Sequence, residues 1–531
     1  MNKTQSGRLA RLSDPDTACA SLWRRIPGYT RLTFAAAVLL GMAVHLFMFT
    51  NKLPNHDDIG HLFGDTYGTA SGRWLLPTVL QWDGNYSMPW LIGLISVLLL
   101  AVTACFTVTL LRIRRPVGCI LTAAILVGFP AVTSTFAYMF TADAYFLSLA
   151  LAAIAAYLTV RWKFGFLFGA LGLALSMGIY QSYFGFAAAL LVGALLFETL
   201  DGGTPIHGLL LRGLRYVGAL TLGMLLYLAM VKLTTLKIGL VDYMGISEMG
   251  RISLSALPEL VLRCYASIYK FFIWNDLNAH FSFLKYGFAL MGLCAVALGV
   301  FLLRRRRLGA ASVVLAVLLV VLFPLAANII YVMVSGGKVH TLMIYGLSLL
   351  PILPVALAEY VQPELSVCAA SLRRTGGIIC CWVIVLSCLL TAYSYAVYDN
   401  KAYLKLDLSY EQAYAYSVRL VNAITTADGY HTGMPVVLVG SEGGTIYPDP
   451  TPQLDEVQLT GVFDMDGYCA TYTYGYFLKY YLALPGQVSI GTSDLAQHFA
   501  ALPEVVSMPF YPAAGSVRVI DGTAVVRLSR S

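Results

Sequence analysis

Residues 89–115 read PWLIGLISVLLLAVTACFTVTLLRIRR. No charged side chain occurs from Pro89 to Leu111, and Arg112, Arg114 and Arg115 follow at once. A helix rises about 1.5 Å per residue, so an uncharged run of this length matches the ~30 Å hydrocarbon layer of a bilayer. Inside that layer only a helix or a closed barrel satisfies the backbone. The arginines that end the run mark a side, because Lys and Arg of short loops collect on the cytoplasmic face. One stretch thus carries both signals that decide the fold: a span and its direction.

The same reading recurs along the chain. Of 531 residues, 58% are hydrophobic and 12% charged, and the mean hydropathy is +0.72. Soluble domains carry about a quarter charged residues, so disorder, a coiled coil and a single water-soluble domain are excluded. The net charge of +7 comes from short clusters between apolar runs. It is not one basic face, so nucleic acid is not an expected partner. Apolar windows fall at 32–50, 89–111, 117–134, 142–160, 164–180, 183–199, 214–233, 282–303, 309–332, 342–361 and 376–397. The expected fold is an α-helical polytopic membrane protein of about 11 transmembrane helices with a small C-terminal extracytoplasmic α/β domain.

Cationic residues alternate from one connection to the next. Lys3, Arg8, Arg11, Arg24, Arg25 and Arg31 precede the first span, and Arg112/Arg114/Arg115, Arg161/Lys163, Arg212/Arg215, Arg304–Arg307 and Arg373/Arg374 occupy every second connection. The opposite side holds fewer, among them Lys52, Arg73, Lys232, Lys237, Arg251, Arg263, Lys270, Lys285 and Lys338. This predicts a multi-pass membrane protein with its N-terminus inside and its C-terminal domain outside. The first span lacks a small-residue cleavage site and reads as a retained anchor. The division is a basic cytoplasmic tail over 1–31, a transmembrane catalytic domain over 32–398 and an external domain over 399–531. External loops lie at 51–88 and 234–281, the second with an amphipathic or re-entrant helix around Leu257–Phe272. In the tail, helical patterns at Tyr410–Thr426, Ala470–Leu484 and Asp494–Leu502 alternate with apolar runs at Val436–Val439 and Ser507–Tyr511. An Asp521-Gly522 turn closes a β-hairpin over 517–528. Most of the ten cysteines fall in spans or inside, so no disulfide framework is expected.

Ionisable groups at membrane depth are costly and mark function. Here the polar residues near span ends share the outer side: Asp143, Tyr180-Gln181-Ser182, Lys232, Lys285, Asn328 and the turn 335–340. A cavity open to the exterior needs that distribution, whereas a through-pore needs polar groups at all depths. His45 in the first span is the exception and reads as a satisfied core histidine. The first outer loop, Asn51-Lys52-Leu53-Pro54-Asn55-His56-Asp57-Asp58-Ile59-Gly60-His61 and then Ser71-Gly72-Arg73-Trp74, is the best candidate for chemistry. In an extended backbone neighbouring side chains point apart, so Asp57 and Asp58 do not address one atom. One is a candidate general base toward a hydroxyl, while the other holds a metal, an arginine or the loop itself. A solvated turn built from Pro, Asn, Asp and Gly is the plain alternative.

An outer Asp-Asp after the first span, followed by Gly72-Arg73-Trp74, resembles the bacterial membrane glucosyltransferases of the phage-type O-antigen-converting kind. The likeness extends through Phe140–Tyr145, the Tyr180-Gln181-Ser182 turn, and Met508-Pro509-Phe510-Tyr511-Pro512 leading to Gly515-Ser516-Val517-Arg518. The resemblance implies a C-type (GT-C) glycosyltransferase that moves a hexose, glucose above all, from a polyprenyl-phosphate sugar to an envelope glycan on the outer membrane face. It implies inversion at the anomeric carbon, with Asp57 or Asp58 as base. It also implies partners: the lipid-linked donor, the glycan acceptor, the bilayer, a donor-synthesising enzyme and a flippase. Arg73 and Lys338 are the phosphate-clamp candidates, with His340 assisting. Trp74, Trp82, Tyr86 and Trp90 are candidates for stacking on sugar or prenyl chain, or for an interfacial belt.

Other patterns stay open or fall away. A divalent cation, Mg or Mn, at Asp57 or Asp58 is compatible with carboxylate chemistry, and the residues do not decide it. Asp464-Met465-Asp466 matches a metal-holding Asp-x-Asp, a short pattern that recurs by chance. Gly440-Ser441-Glu442-Gly443-Gly444 lacks the Lys-Ser/Thr of a phosphate loop. Thirteen of the 33 tyrosines follow Asp399, as a saccharide platform or as core and membrane rim. The competing functions are a lipid-linked glycan transporter or flippase, for which repeats or matching broken helices are expected, and a non-catalytic polysaccharide-assembly protein.

Overall fold

The computed structural model describes residues 14–61, 71–84, 86–236, 239, 255–274, 282–334, 338–369, 371–440, 452–469, 472–491 and 493–528. Lys3, Arg8, Arg11, Lys237, Arg251, the turn 335–337, residues 441–444 and Ala470 lie outside the described residues.

All eleven apolar runs are helical. They form α1 (Gly28–Thr50), then, after the short α2 (His56–His61), α3 (Pro89–Leu110), α4 (Pro116–Val127) with α5 (Pro130–Phe136), α6 (Met139–Arg161), α7 (Gly165–Ile179) and α8 (Phe184–Asp201). There follow α9 (Ile206–Thr235), α10 (Leu284–Arg306), α11 (Ala310–Ala327), α12 (Leu349–Ser366) and α13 (Ser371–Thr425). Nine described helices are long and apolar enough alone to cross a membrane; α4 and α5 qualify together, and α7 is a shorter apolar helix. The chain is therefore a multi-pass membrane protein.

Two spans that read as straight are broken. Between α4 and α5 the axis turns by 43°. Phe129 precedes Pro130 and is extended, at φ −69° and ψ 133°, because a residue before proline is driven out of the helical region. The run 309–332 stops at Asn328 and resumes only as the short helix Ile330–Met333. There the expected amphipathic helix, observed as Leu257–Tyr269, meets the break: the Cys264 thiol donates to the Asn328 carbonyl at 3.4 Å, and Asn328 Nδ2 donates to the Cys264 carbonyl at 3.0 Å.

Lipid tails supply no hydrophobic drive between helices, so close packing and polar contacts hold a bundle together. At the helix ends marked by arginine clusters, Arg212 pairs with Glu198 at 2.8 Å and Arg306 with Glu364 at 3.1 Å. Arg112 also bridges to Asp201 there. Glycines permit the closest approaches. A Cβ on Gly346 would stand 2.1 Å from the Ala327 carbonyl oxygen, a backbone atom with no room to yield.

The opposite helix ends carry the C-terminal segment. Its four-stranded sheet has the order β2-β1-β4-β3, from β1 (Val436–Val439), β2 (Val488–Ser489), β3 (Val517–Ile520) and β4 (Thr523–Arg527). β1 lies parallel to β2 and β4, while β3 and β4 form the antiparallel hairpin around Asp521-Gly522. The run Ser507–Tyr511 is not a strand. Helix α13 continues unbroken across position 399 into this segment. Lys405 on α13 pairs with Asp464 at 2.9 Å, so the first carboxylate of the Asp-x-Asp pattern serves docking. Ser134 of α5 donates to the Thr460 carbonyl at 2.6 Å. Gly461, at φ +92°, lies so close to Ala137 and Tyr138 that a side chain would collide.

Replacing Gly346 by Ala is expected to lower stability by roughly 1–3 kcal/mol, the usual cost of overpacking. The matched change at Gly292, which has open space beside it, leaves the melting temperature of the detergent-solubilised protein unchanged.

Candidate active site

The loop after α1 is not extended. Asn55 and Asp58 close a reciprocal cap: the Asn55 side chain accepts from the Asp58 N–H at 3.0 Å, and Asp58 Oδ2 accepts from the Asn55 N–H at 3.2 Å. This satisfies donors at the start of a helical turn and winds His56–His61 into α2. Successive side chains on a helix still diverge, so Asp57 and Asp58 face different surroundings, as an extended strand would also have made them do.

Asp58 faces inward and is 1% exposed. Its Oδ1 accepts the Phe140 N–H at 3.1 Å, one of the first-turn donors of α6 that the helix itself cannot use. A carboxylate there also meets the positive end of the helix dipole. Burial nevertheless dominates and pushes the Asp58 carboxyl up to about 7, against the lowering effect of its hydrogen bonds from Asn55, Phe140 and Ser87. The next residue, Ile59, packs into the core of the C-terminal segment with Tyr416, Leu420, Tyr468 and Tyr474. Asp58 and Ile59 thus fasten the loop to the helical bundle and to the C-terminal segment.

Asp57 faces the other way, with 30% of its side chain exposed. Its Oδ1 accepts the hydroxyl of Tyr472 and lies 3.2 Å from His56 Nε2. Among the described residues, nothing hydrogen-bonds its Oδ2. His56 packs edge-on against Phe463 at 4.9 Å between ring centroids. Burial holds its imidazole below the usual value, with Asp57 opposing that shift.

Farther along α6, two more residues engage the loop. Asp143 lies within electrostatic range of Asp83. Tyr145 accepts a hydrogen bond from Arg73 at 2.9 Å. The Arg73 guanidinium also lies 5.8 Å from the Tyr145 ring centre and 5.2 Å from that of Tyr180. Those two rings stack at 4.1 Å and 13°, giving the cation a shared aromatic wall. Gln181 donates to the Ser71 carbonyl at 3.2 Å and to the Tyr227 hydroxyl at 2.9 Å. Trp74 closes over Gly178, where a Cβ would come within 2.5 Å of the indole. Asp57, Asp58, Arg73, Trp74, Asp143, Tyr180 and Gln181 therefore all belong to the loop or to the helix ends that carry it.

Lys338 and His340 stand on another element, the turn before the 3-10 stretch Thr341–Ser348. Lys338 is exposed. His340 Nδ1 lies 3.4 Å from Thr460 Oγ1, at the seam with the C-terminal segment. Burial first, and then the Lys338 charge, lower the basicity of His340. Trp82, Tyr86 and Trp90 are largely exposed.

For a divalent cation, the donors fit poorly. Among the described residues no group of three or more His, Cys, Asp or Glu is placed to hold a metal. Both Asp58 oxygens accept hydrogen bonds, which compete for the lone pairs a hard cation requires.

The sequence alone gives no role to Tyr472 or Asp83, and marks Tyr145 only as the end of the Phe140–Tyr145 segment. Asp83 was legible there, as an acid in the same loop beside Trp82. Tyr472 was not, because 415 residues separate it from Asp57.

Comparison with known proteins meets this geometry from outside. No curated protein and no solved structure matches the chain. The family model described as glucosyl transferase GtrII matches residues 46–351, from the end of α1 to the start of α12, which takes in α2, Arg73, Asp143, Gln181 and His340. That match covers more than half of the chain, which accordingly belongs to the glucosyl transferase GtrII family.

Proposed function

We propose that this glucosyltransferase takes glucose from a polyprenyl-phosphate donor and delivers it, with inversion, to a cell-envelope glycan at the outer membrane face. The observation that carries the reading is the division of labour between adjacent carboxylates. Asp58 is buried and tied to backbone N–H groups, whereas Asp57 is partly exposed with Oδ1 held and Oδ2 open. In this reading Asp57 is the base and Asp58 the anchor.

The chemistry follows from the donor. In a sugar phosphate ester the leaving group is already good, so the protein must supply a base, alignment and charge at the departing phosphate. The acceptor hydroxyl gives its proton to Asp57 Oδ2 while its oxygen forms a bond to the anomeric carbon. The bond from that carbon to the phosphate oxygen breaks on the opposite face, and the electron pair leaves with polyprenyl phosphate. A single displacement inverts the centre. Arg73, braced by Tyr145 and Tyr180, presents a planar fork suited to phosphate oxygens. Lys338 adds an exposed point charge, and His340 positions the turn that bears it. The alternation of Lys and Arg between connections supports placing the loop and C-terminal segment outside. There nucleotide sugars are not at hand and a lipid-linked donor is required. The donor in turn calls for a synthesising enzyme and a flippase as partners.

Purified protein in nanodiscs is expected to transfer labelled glucose from polyprenyl phosphate to envelope polysaccharide, and not from a nucleotide sugar. Asp57→Asn lowers kcat by about 10²–10⁴-fold, the usual contribution of a general base, with its melting temperature preserved. Full transfer by that variant, or efficient use of the nucleotide sugar, overturns the reading.

Asp58 has a separate signature in stability. Its folded-state value of about 7 lies above its ordinary 3.8, so the folded protein binds the proton more tightly than the unfolded chain. Stability from this group is therefore full below about 4 and is lost as pH rises through about 7. A melting-temperature series over that window should fall with rising pH in the parent, and Asp58→Asn should flatten the trend.

A further inference from the structure

Beyond the base and the phosphate clamp, an aromatic stripe runs from Asp57 along the C-terminal segment. The helix Tyr474–Tyr476 continues as a π-helical turn over Phe477–Tyr481. One side of this piece is core: Tyr474 is 1% exposed, and Phe477 and Leu478 are fully buried. The other side carries Tyr476 and Tyr480, 41% and 43% exposed, and Tyr472, 58% exposed, stands in the turn just before the helix. Residues four apart share a face of a helix. The rings of Tyr476 and Tyr480 are 9° from parallel with centroids 6.1 Å apart, and the Lys479 ammonium lies 5.2 Å from the Tyr480 ring centre.

Each of the three presents a substantial part of its ring outward, and Tyr472 also meets the His56 ring edge-on at 6.0 Å. Tyr472 hydrogen-bonds the proposed base, and the parallel pair Tyr476 and Tyr480 follows it directly in the chain. Tyr472 donates its hydroxyl to Asp57 Oδ1, the same kind of contact that a sugar hydroxyl makes as it approaches a carboxylate base. Aromatic faces suit sugars because the C–H face of a pyranose packs on a π-system while its hydroxyls stay wet.

We propose that Tyr472, Tyr476 and Tyr480 form the acceptor-glycan subsite, a rail that seats successive sugar units of the acceptor and leads one hydroxyl to Asp57. The proposal rests on Asp57 as the base for its direction, and on the exposed stripe for its existence. The occupant is the glycan acceptor that a glucosyltransferase requires. The stripe begins at the base, and its rings supply stacking rather than the charge that the donor phosphate would demand.

The test uses the full chain in nanodiscs and envelope polysaccharide extracted from cells lacking the gene, with no donor added. The parent should bind this polysaccharide, and Tyr476→Ala/Tyr480→Ala should weaken binding at least tenfold. The corresponding Tyr→Phe pair, which keeps the stacking faces, should bind within about twofold of the parent. With donor present, the Ala pair should raise the acceptor KM by a similar factor while the donor KM stays at the parent value. If the double Ala variant does not fold, the single variants carry the test at about threefold each. Absence of binding by the parent, unchanged binding by a folded Ala variant, or equal loss in the Phe pair overturns the rail. Failure of the Asp57 assignment is distinguishable, because Asp57→Asn then transfers glucose normally while the Ala and Phe variants still separate in donor-free binding.

Discussion

The first two turns of α6 are the constraint on which the rest of the site depends. A helix end leaves N–H donors that its own backbone cannot satisfy, and here one of them is answered by Asp58 from the preceding loop. A little farther along the helix come Asp143, within electrostatic range of Asp83, and Tyr145, bonded to Arg73. The described parts of the loop between α1 and α3 are thus held by one short piece of helix. The same loop inserts Ile59 into the C-terminal core, so the bundle and the sheet-bearing segment are locked through a single structure.

This arrangement explains how two identical neighbouring side chains come to differ. Asp58 lies under α6 with N–H partners on both oxygens, and burial raises its proton affinity. Asp57 lies one position back, on the wet side, with a histidine and a tyrosine on one oxygen. The chemical difference is conferred by a turn of helix about 100° per residue, which sends adjacent side chains into separate environments.

How much of this could be read in the chain follows from the range of the forces involved. Span formation depends on local composition, so all eleven apolar runs were legible, as were β1 at Val436–Val439 and the Asp521-Gly522 hairpin. The break at Phe129-Pro130 has a local cause too, but the proline is surrounded by apolar residues and hides inside a continuous hydropathy signal. The loop was legible as the place for polar chemistry, because charges are rare enough in this chain to stand out. Its internal roles were not. The helical state of α2 depends on a cap between Asn55 and Asp58, and the environment of Asp57 depends on Tyr472 from the far end of the chain. The charge pattern assigns Lys338 and His340 to the same side as Arg73, yet side is a coarse coordinate: His340 belongs to the seam at Thr460.

Helix α13 has a consequence of its own. It runs for 55 residues, about 80 Å at the rise of an α-helix, through the bundle and on into the C-terminal segment. Such a rod works as a surveyor's staff: the height of Tyr416 and Leu420 above Tyr395 is set by residue count, and their bearing by the helical angle. Adding one residue between them would lift the upper part by about 1.5 Å and swing it by about 100°, presenting the wrong flank to Ile59 and the tyrosine-rich core. Length in this stretch is therefore frozen by geometry. Loops elsewhere in the chain are free to drift in size, but here a single inserted codon would turn one half of the protein away from the other.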